Sequence, residues 1–196
     1  MNLRSKLKSL LALVLALVSA TTGCTSQWVN VAVQDLPVLT QMARNIATLV
    51  STLAAGKQAS TADVAVIQNI SAQASRNLNL LQSLYNEYKA SPNNTTLQKI
   101  QNAISGFNQN LPALLQAAHI SNPTLSARVS AAVNLIISTV NSVASLMPQS
   151  SAATSRKLHA LPLLRANDLK KQWNLQVCSP SGNIVMDAAF ADSVIR

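Results

Sequence analysis

Few side chains in this 196-residue chain are of a type that does chemistry. It has one glutamate, Glu87, and five aspartates, Asp35, Asp63, Asp168, Asp187 and Asp192. To these it adds two histidines, His119 and His159, and two cysteines, Cys24 and Cys178. General acid–base work needs titratable groups brought within hydrogen-bond reach of a substrate, and these are scattered. A zinc site needs three or four His, Cys or carboxylate ligands at workable spacing. A di-iron bundle needs several inward glutamates and a Glu-x-x-His unit, which a single glutamate excludes. No G-x-S-x-G, P-loop or dinucleotide-binding glycine pattern occurs. His119 reads as a helix-end histidine, and Tyr85 and Tyr88 as aromatics at the edge of a core. An enzyme would need a cleft gathering His119 with Glu87 or Asp63. The expectation is no catalytic residue, no metal and no cofactor.

One residue sits in a context that dictates its chemistry. Arg4, Lys6 and Lys8 form a cationic head, Leu10 to Val18 an apolar run, and Thr21-Thr22-Gly23-Cys24 closes the stretch. The layout is that of an export signal. Its apolar run is about half the ~20 residues a membrane-spanning helix requires. Thr21-Thr22-Gly23-Cys24 resembles the lipobox of bacterial lipoproteins, with Thr21 where that motif usually has leucine. The resemblance covers residues 1–24 only. It implies cleavage before Cys24, a diacylglycerol thioether on its sulfur and an acyl chain on its new amino group. Each buried CH₂ contributes ~0.8 kcal/mol, so two or three chains hold a soluble domain stably on a bilayer. Thr25, rather than Asp, after the cysteine implies the outer membrane. The alternative is ordinary cleavage after Val18-Ser19-Ala20. Cys24 would then stay a thiol, able to pair with Cys178 in an oxidising compartment.

Composition narrows the rest. Hydrophobic residues make up 48% and charged residues only 11% of the chain, against a usual charged share of about 25%. Polarity comes from Asn, Gln, Ser and Thr, and with four glycines and few aromatics the chain reads as helical. The formal charge is +9. Three of the 15 basic residues leave with the signal, so 12 face 6 acidic ones and the mature chain carries +6. Arg44, Lys57, Arg76, Lys89, Lys99 and Arg128 are widely spaced, not clustered beside stacking aromatics as a nucleic-acid footprint requires. No nucleic-acid partner is expected.

The elements follow from apolar spacing. Residues 24–34 read as a lipidated tether, with Trp28 either at the headgroup level or capping a core. Asp35 and Pro37 have the form of a helix start. Leu39, Met42, Ile46, Leu49 and Leu53 make one stripe, ended by Gly56. Ser60 to Asp63 resembles a capping box and opens a long helix with Ile67, Ile70, Ala74, Leu78, Leu81 and Tyr88 on its stripe. A third helix from Thr95 or Thr96 carries Ile100, Ile104, Phe107, Leu111 and Leu114, kinked at Pro112. A fourth carries Leu125, Val129, Val133, Ile136, Val140 and Val143, to Pro148.

Four stripes joined by short turns predict an all-α, up-down-up-down four-helix bundle with coiled-coil-like packing over residues 35–149. Residues 150–196 read as a linker and a basic tail with short helices, docked on the bundle or laid on an anionic surface. The expected organisation is thus a removed signal (1–23), a tether (24–34), the bundle and the tail. The expected role is a membrane-anchored envelope lipoprotein, outer-membrane and facing the periplasm, whose bundle scaffolds or binds a protein or cell-wall partner. Alternatives are a periplasmic carrier of lipid or a small apolar ligand, through a gap near Gly106, Pro112, Ala74, Ala103 and Ala118, and a secreted protein with a Cys24–Cys178 disulfide.

Overall fold

The computed structural model describes residues 27–57, 59–148 and 165–196. These form six α-helices and, among the described residues, no strand. They are α1 (Gln27–Ala55), α2 (Thr61–Ala90), α3 (Asn94–Ala117), α4 (Pro123–Ala144), α5 (Ala166–Gln176) and α6 (Ile184–Asp192). The first stripe packs against the second, the second against the third, the third against the fourth, and α4 returns to α1. The two C-terminal helices lie on this helical bundle, α5 against α1 and α4, and α6 against α1.

Starts coded by local chemistry fall where the side chains demand. Ser60 caps α2 in a reciprocal box: its Oγ accepts from the Asp63 N–H (3.1 Å), and Asp63 accepts from the Ser60 N–H (3.4 Å). Asn93 caps α3 by accepting from the Thr96 N–H at 2.8 Å. Asn122 caps α4 ahead of Pro123, whose missing N–H is harmless in a first turn.

The first helix differs from expectation at its start. Asp35 is not its N-cap, for α1 begins at Gln27 and encloses both Asp35 and Pro37. The stripe extends backward through Leu36, Ala32, Val29 and Trp28, all buried, so packing carries the helix past two local start signals. Residues 27–34, expected in the tether, are therefore helical. Trp28 belongs to the core and not to the headgroup level: its ring meets Tyr85 edge-on at 5.6 Å and Tyr88 at 5.4 Å.

The end of α1 also differs in detail. The left-handed residue is Lys57, at φ 56°, and not Gly56. Gly56 instead permits close approach, since a Cβ there would lie 2.8 Å from Val185 Cγ1 of α6. Pro112 sits inside a helix that runs on to Ala117.

The tail is docked. Leu169, Trp173, Val177 and Phe190 are fully buried. The Trp173 indole donates to the Ser193 carbonyl at 2.9 Å, and that carbonyl also accepts from Asn45 of α1 at 3.1 Å. Arg156, Lys157, Leu158, His159, Leu161, Leu163 and Leu164 lie outside the described residues.

Two stability outcomes are expected. Trp173→Ala removes the largest side chain buried by the tail and lowers unfolding free energy by about 3–5 kcal/mol, read from urea unfolding. Lys57→Gly relieves a left-handed lysine and raises stability by up to about 1 kcal/mol in the same assay.

Candidate functional site

The residues nominated from sequence for chemistry do not converge. Asp63 is buried at the start of α2, and its Oδ1 accepts from the Ser121 N–H (2.8 Å) and hydroxyl (3.2 Å). Burial would raise its pKa, but these bonds and those of Ser60 outweigh it and hold the carboxyl below its ordinary value. Glu87 lies 24 residues later on the same helix, about 36 Å away at 1.5 Å per residue. Its carboxylate is exposed and accepts from the Thr96 hydroxyl (2.7 Å) and the Lys99 ammonium (3.3 Å), which lower its pKa. His119 is exposed just past α3. Both carboxylates thus tie helix ends together, and among the described residues neither is paired with His119. Among the described residues, no group of three or more His, Cys, Asp or Glu could hold a metal ion.

Asp35 is the polar group that sequence reasoning misplaced. It is 3% exposed on α1, and its Oδ2 has no hydrogen-bond partner. Desolvation raises its pKa, opposed by the Arg165 guanidinium and by a hydrogen bond from the Ala166 N–H. Arg165 gives α5 no side-chain cap, and Asp35 approaches that helix start from α1. A carboxylate at a helix N-terminus also faces the positive end of the dipole.

A second junction joins α4 to the tail. The Arg128 guanidinium donates to the carbonyls of Gln176 (2.8 Å) and Ser179 (2.9 Å) and to the Ser179 hydroxyl. It also stands 5.3 Å over the Phe190 ring, a cation–π arrangement. No local pattern marks this junction in the sequence, because its partners lie about fifty residues downstream. Cys178 beside it is half-buried, and burial pushes its thiol up to about 11. Thiolate reactivity is correspondingly suppressed. Cys24, the residue nominated for lipidation or for a disulfide with Cys178, lies outside the described residues.

Around Gly106 and Pro112, where a carried ligand would need room, a Cβ at Gly106 would meet only the Asn110 amide at 4.0 Å, while the small residues pack in the core. Ala74 is fully buried, Ala103 and Ala118 pack against the core, and Phe107 and Leu111 are buried between them. A core cavity lined by Ala32, Asp35, Leu36, Tyr85 and Val140 measures about 10 Å³, about one water molecule. A surface cleft of about 260 Å³ lies over Gln101, Ile104, Ala144 and Met147. Helix α4 is long and apolar enough to cross a membrane, with a mean hydropathy of 1.2, but half of that stretch is buried against the rest of the protein.

No protein-family model matches the chain, and no curated protein or solved structure compared with it matches either.

The two buried aspartates give opposite pH responses. Asp35 has a raised folded-state pKa, so its contribution is full below the unfolded value of 3.8 and is lost as pH rises through the folded one. Asp35→Asn keeps an acceptor for the Ala166 N–H and removes a buried charge. Its urea midpoint at pH 7 rises above wild type, and the gap closes on acidification. Asp63 has a lowered pKa, so its contribution is present above 3.8 and is lost as pH falls through the folded value. Asp63→Asn is less stable than wild type at pH 7, and that deficit shrinks in acid.

Proposed function

We propose that this protein is a bacterial envelope lipoprotein, anchored through acyl chains on Cys24, whose helical domain serves as a scaffold or binds a protein or cell-wall partner from the periplasmic face of the outer membrane. The observation that carries the reading is the run from the Arg4–Lys8 head through the apolar stretch to Thr21-Thr22-Gly23-Cys24. The packed all-helical domain downstream supports it, because Asp63, Glu87 and Arg128 serve as caps and interhelical ties. A role through contact surface suits such a domain better than turnover. The half-buried, unreactive Cys178 suits a lipidated Cys24 better than a disulfide partner.

The domain is an up-down-up-down four-helix bundle with coiled-coil-like packing. Support comes from the closed ring of neighbours α1–α2–α3–α4 and from cross-helix pairs. Trp28 meets Tyr85 and Tyr88, while further along Ser71 of α2 donates to the Ala43 carbonyl of α1 at 2.6 Å. Asn108 of α3 donates to Asn141 of α4 at 2.6 Å, and Ile104 and Ala144 line one cleft. Numbering rises on one helix as it falls on the next.

Intact mass after detergent extraction tests the anchor. The expected chain begins at Cys24 and is heavier than its residues by several hundred daltons, and Cys24→Ala abolishes that increment. A chain beginning at Thr21 with a free thiol overturns the reading. Pull-down from envelope membranes with and without Cys24→Ala then separates anchoring from recognition by the bundle.

A further inference from the structure

The docked C-terminal hairpin has an outer face whose chemistry matches a bilayer surface. Lys171 and Leu175 lie one helical turn apart on α5, a spacing that puts both on one face, and both are exposed, Leu175 at 68%. The last residues run alongside: Asn174 exchanges two hydrogen bonds of 3.0 Å with Ile195, and Lys170 Nζ donates to the Arg196 carbonyl at 2.8 Å. Val194 (40% exposed) and Arg196 therefore flank the same helix, whose first turn is preceded by exposed Arg165. Three cations, Lys170, Lys171 and Arg196, thus stand beside Leu175 and Val194, with the exposed acid Asp168 one turn before Lys171 on the same face.

Chain length brings the start of α5 toward the membrane. Cys24 precedes Gln27 by three residues, a reach of about 11 Å whatever their conformation. Asp35, which faces the start of α5 at Arg165 and Ala166, lies eight residues along α1 from Gln27, or about 12 Å. A lipidated Cys24 thus leaves the start of α5 no farther from the bilayer than a short step along the bundle.

We infer that the outer face of α5, with Lys171, Leu175, Val194 and Arg196, lies on an anionic lipid surface, so that the bundle reclines on its hairpin and turns α2 and α3 outward. Basic residues beside an anionic leaflet are attracted to it, and the exposed apolar side chains enter the headgroup boundary. The orientation rests on the anchor reading, whereas the affinity of the face for anionic lipid does not.

The test uses the protein extracted from membranes and reconstituted in vesicles bearing nitroxide-labelled headgroups, with Cys178→Ser to leave one added thiol for a dye. The dye sits at Asn167→Cys, on the exposed side of α5, or at Asn102→Cys, exposed on α3 away from the hairpin. With phosphatidylglycerol present, quenching at residue 167 exceeds that at 102 several-fold. In pure phosphatidylcholine the difference shrinks, and Lys171→Glu with Leu175→Ser removes it without releasing the protein. Equal quenching at both sites, or stronger quenching at 102, overturns the inference while retention on the vesicles leaves the anchor standing. Release by washing in plain buffer overturns the anchor instead. Low-salt binding of the released protein to phosphatidylglycerol vesicles, lost in the double variant, then still supports the face, and no binding overturns it.

Discussion

The burial of α1 is the constraint on which the rest of the structure depends. It is the one helix that packs against α2, α4, α5 and α6. Along it Trp28, Val29, Ala32, Leu36, Leu39, Met42, Ala43, Ile46, Leu49, Val50 and Leu53 are withdrawn from water. That set is wider than the single stripe a surface helix shows, and a helix apolar over so much of its girth must be covered on several sides. In a chain with so few charges, the specificity of that cover comes from shape and from a handful of polar ties.

Those ties share a pattern. Asp63 closes α2 and then holds the Ser121 loop; Glu87 links the end of α2 to the start of α3; Asp35 stands against the start of α5; Arg128 grips the 176–179 turn. Asp63 and Arg128 satisfy backbone groups near helix ends, and Glu87 ties side chains at the start of the next helix. A buried polar group without a partner is costly, so the few charges of this sequence sit where they meet that need. The same economy explains why no acid–base pair forms among them.

Much of this was legible in the sequence, and the reasons for the misses are physical. The Ser60–Asp63 box, Asn122-Pro123 and the stripe from Ile67 to Tyr88 are local codes, and the structure follows them. Asp35 and Pro37 use the same code yet sit inside α1, because the contact of Trp28 with Tyr85 and Tyr88 is formed across the bundle and outweighs a local preference. Gly56 was legible as a terminator, but its small size serves Val185, 129 residues away, while Lys57 takes the left-handed turn. The apolar character of Leu169 and Trp173 was visible; where they dock was not, because Arg128 looks like any solvated cation until the residues it holds are placed. Cys24 remains a matter of sequence, since its chemistry is written in the preceding residues.

The position of Trp173 has a consequence for how the molecule comes into being. Its indole fills the core between helices synthesised before it, and its N–H donates to the Ser193 carbonyl twenty residues further on. A ribosome delivers that pair only after α1 to α4 are complete. Until then the faces of α1 and α4 that α5 and α6 cover stay open to water, so hydrocarbon that is hidden in the finished molecule is wetted while the polypeptide is being made.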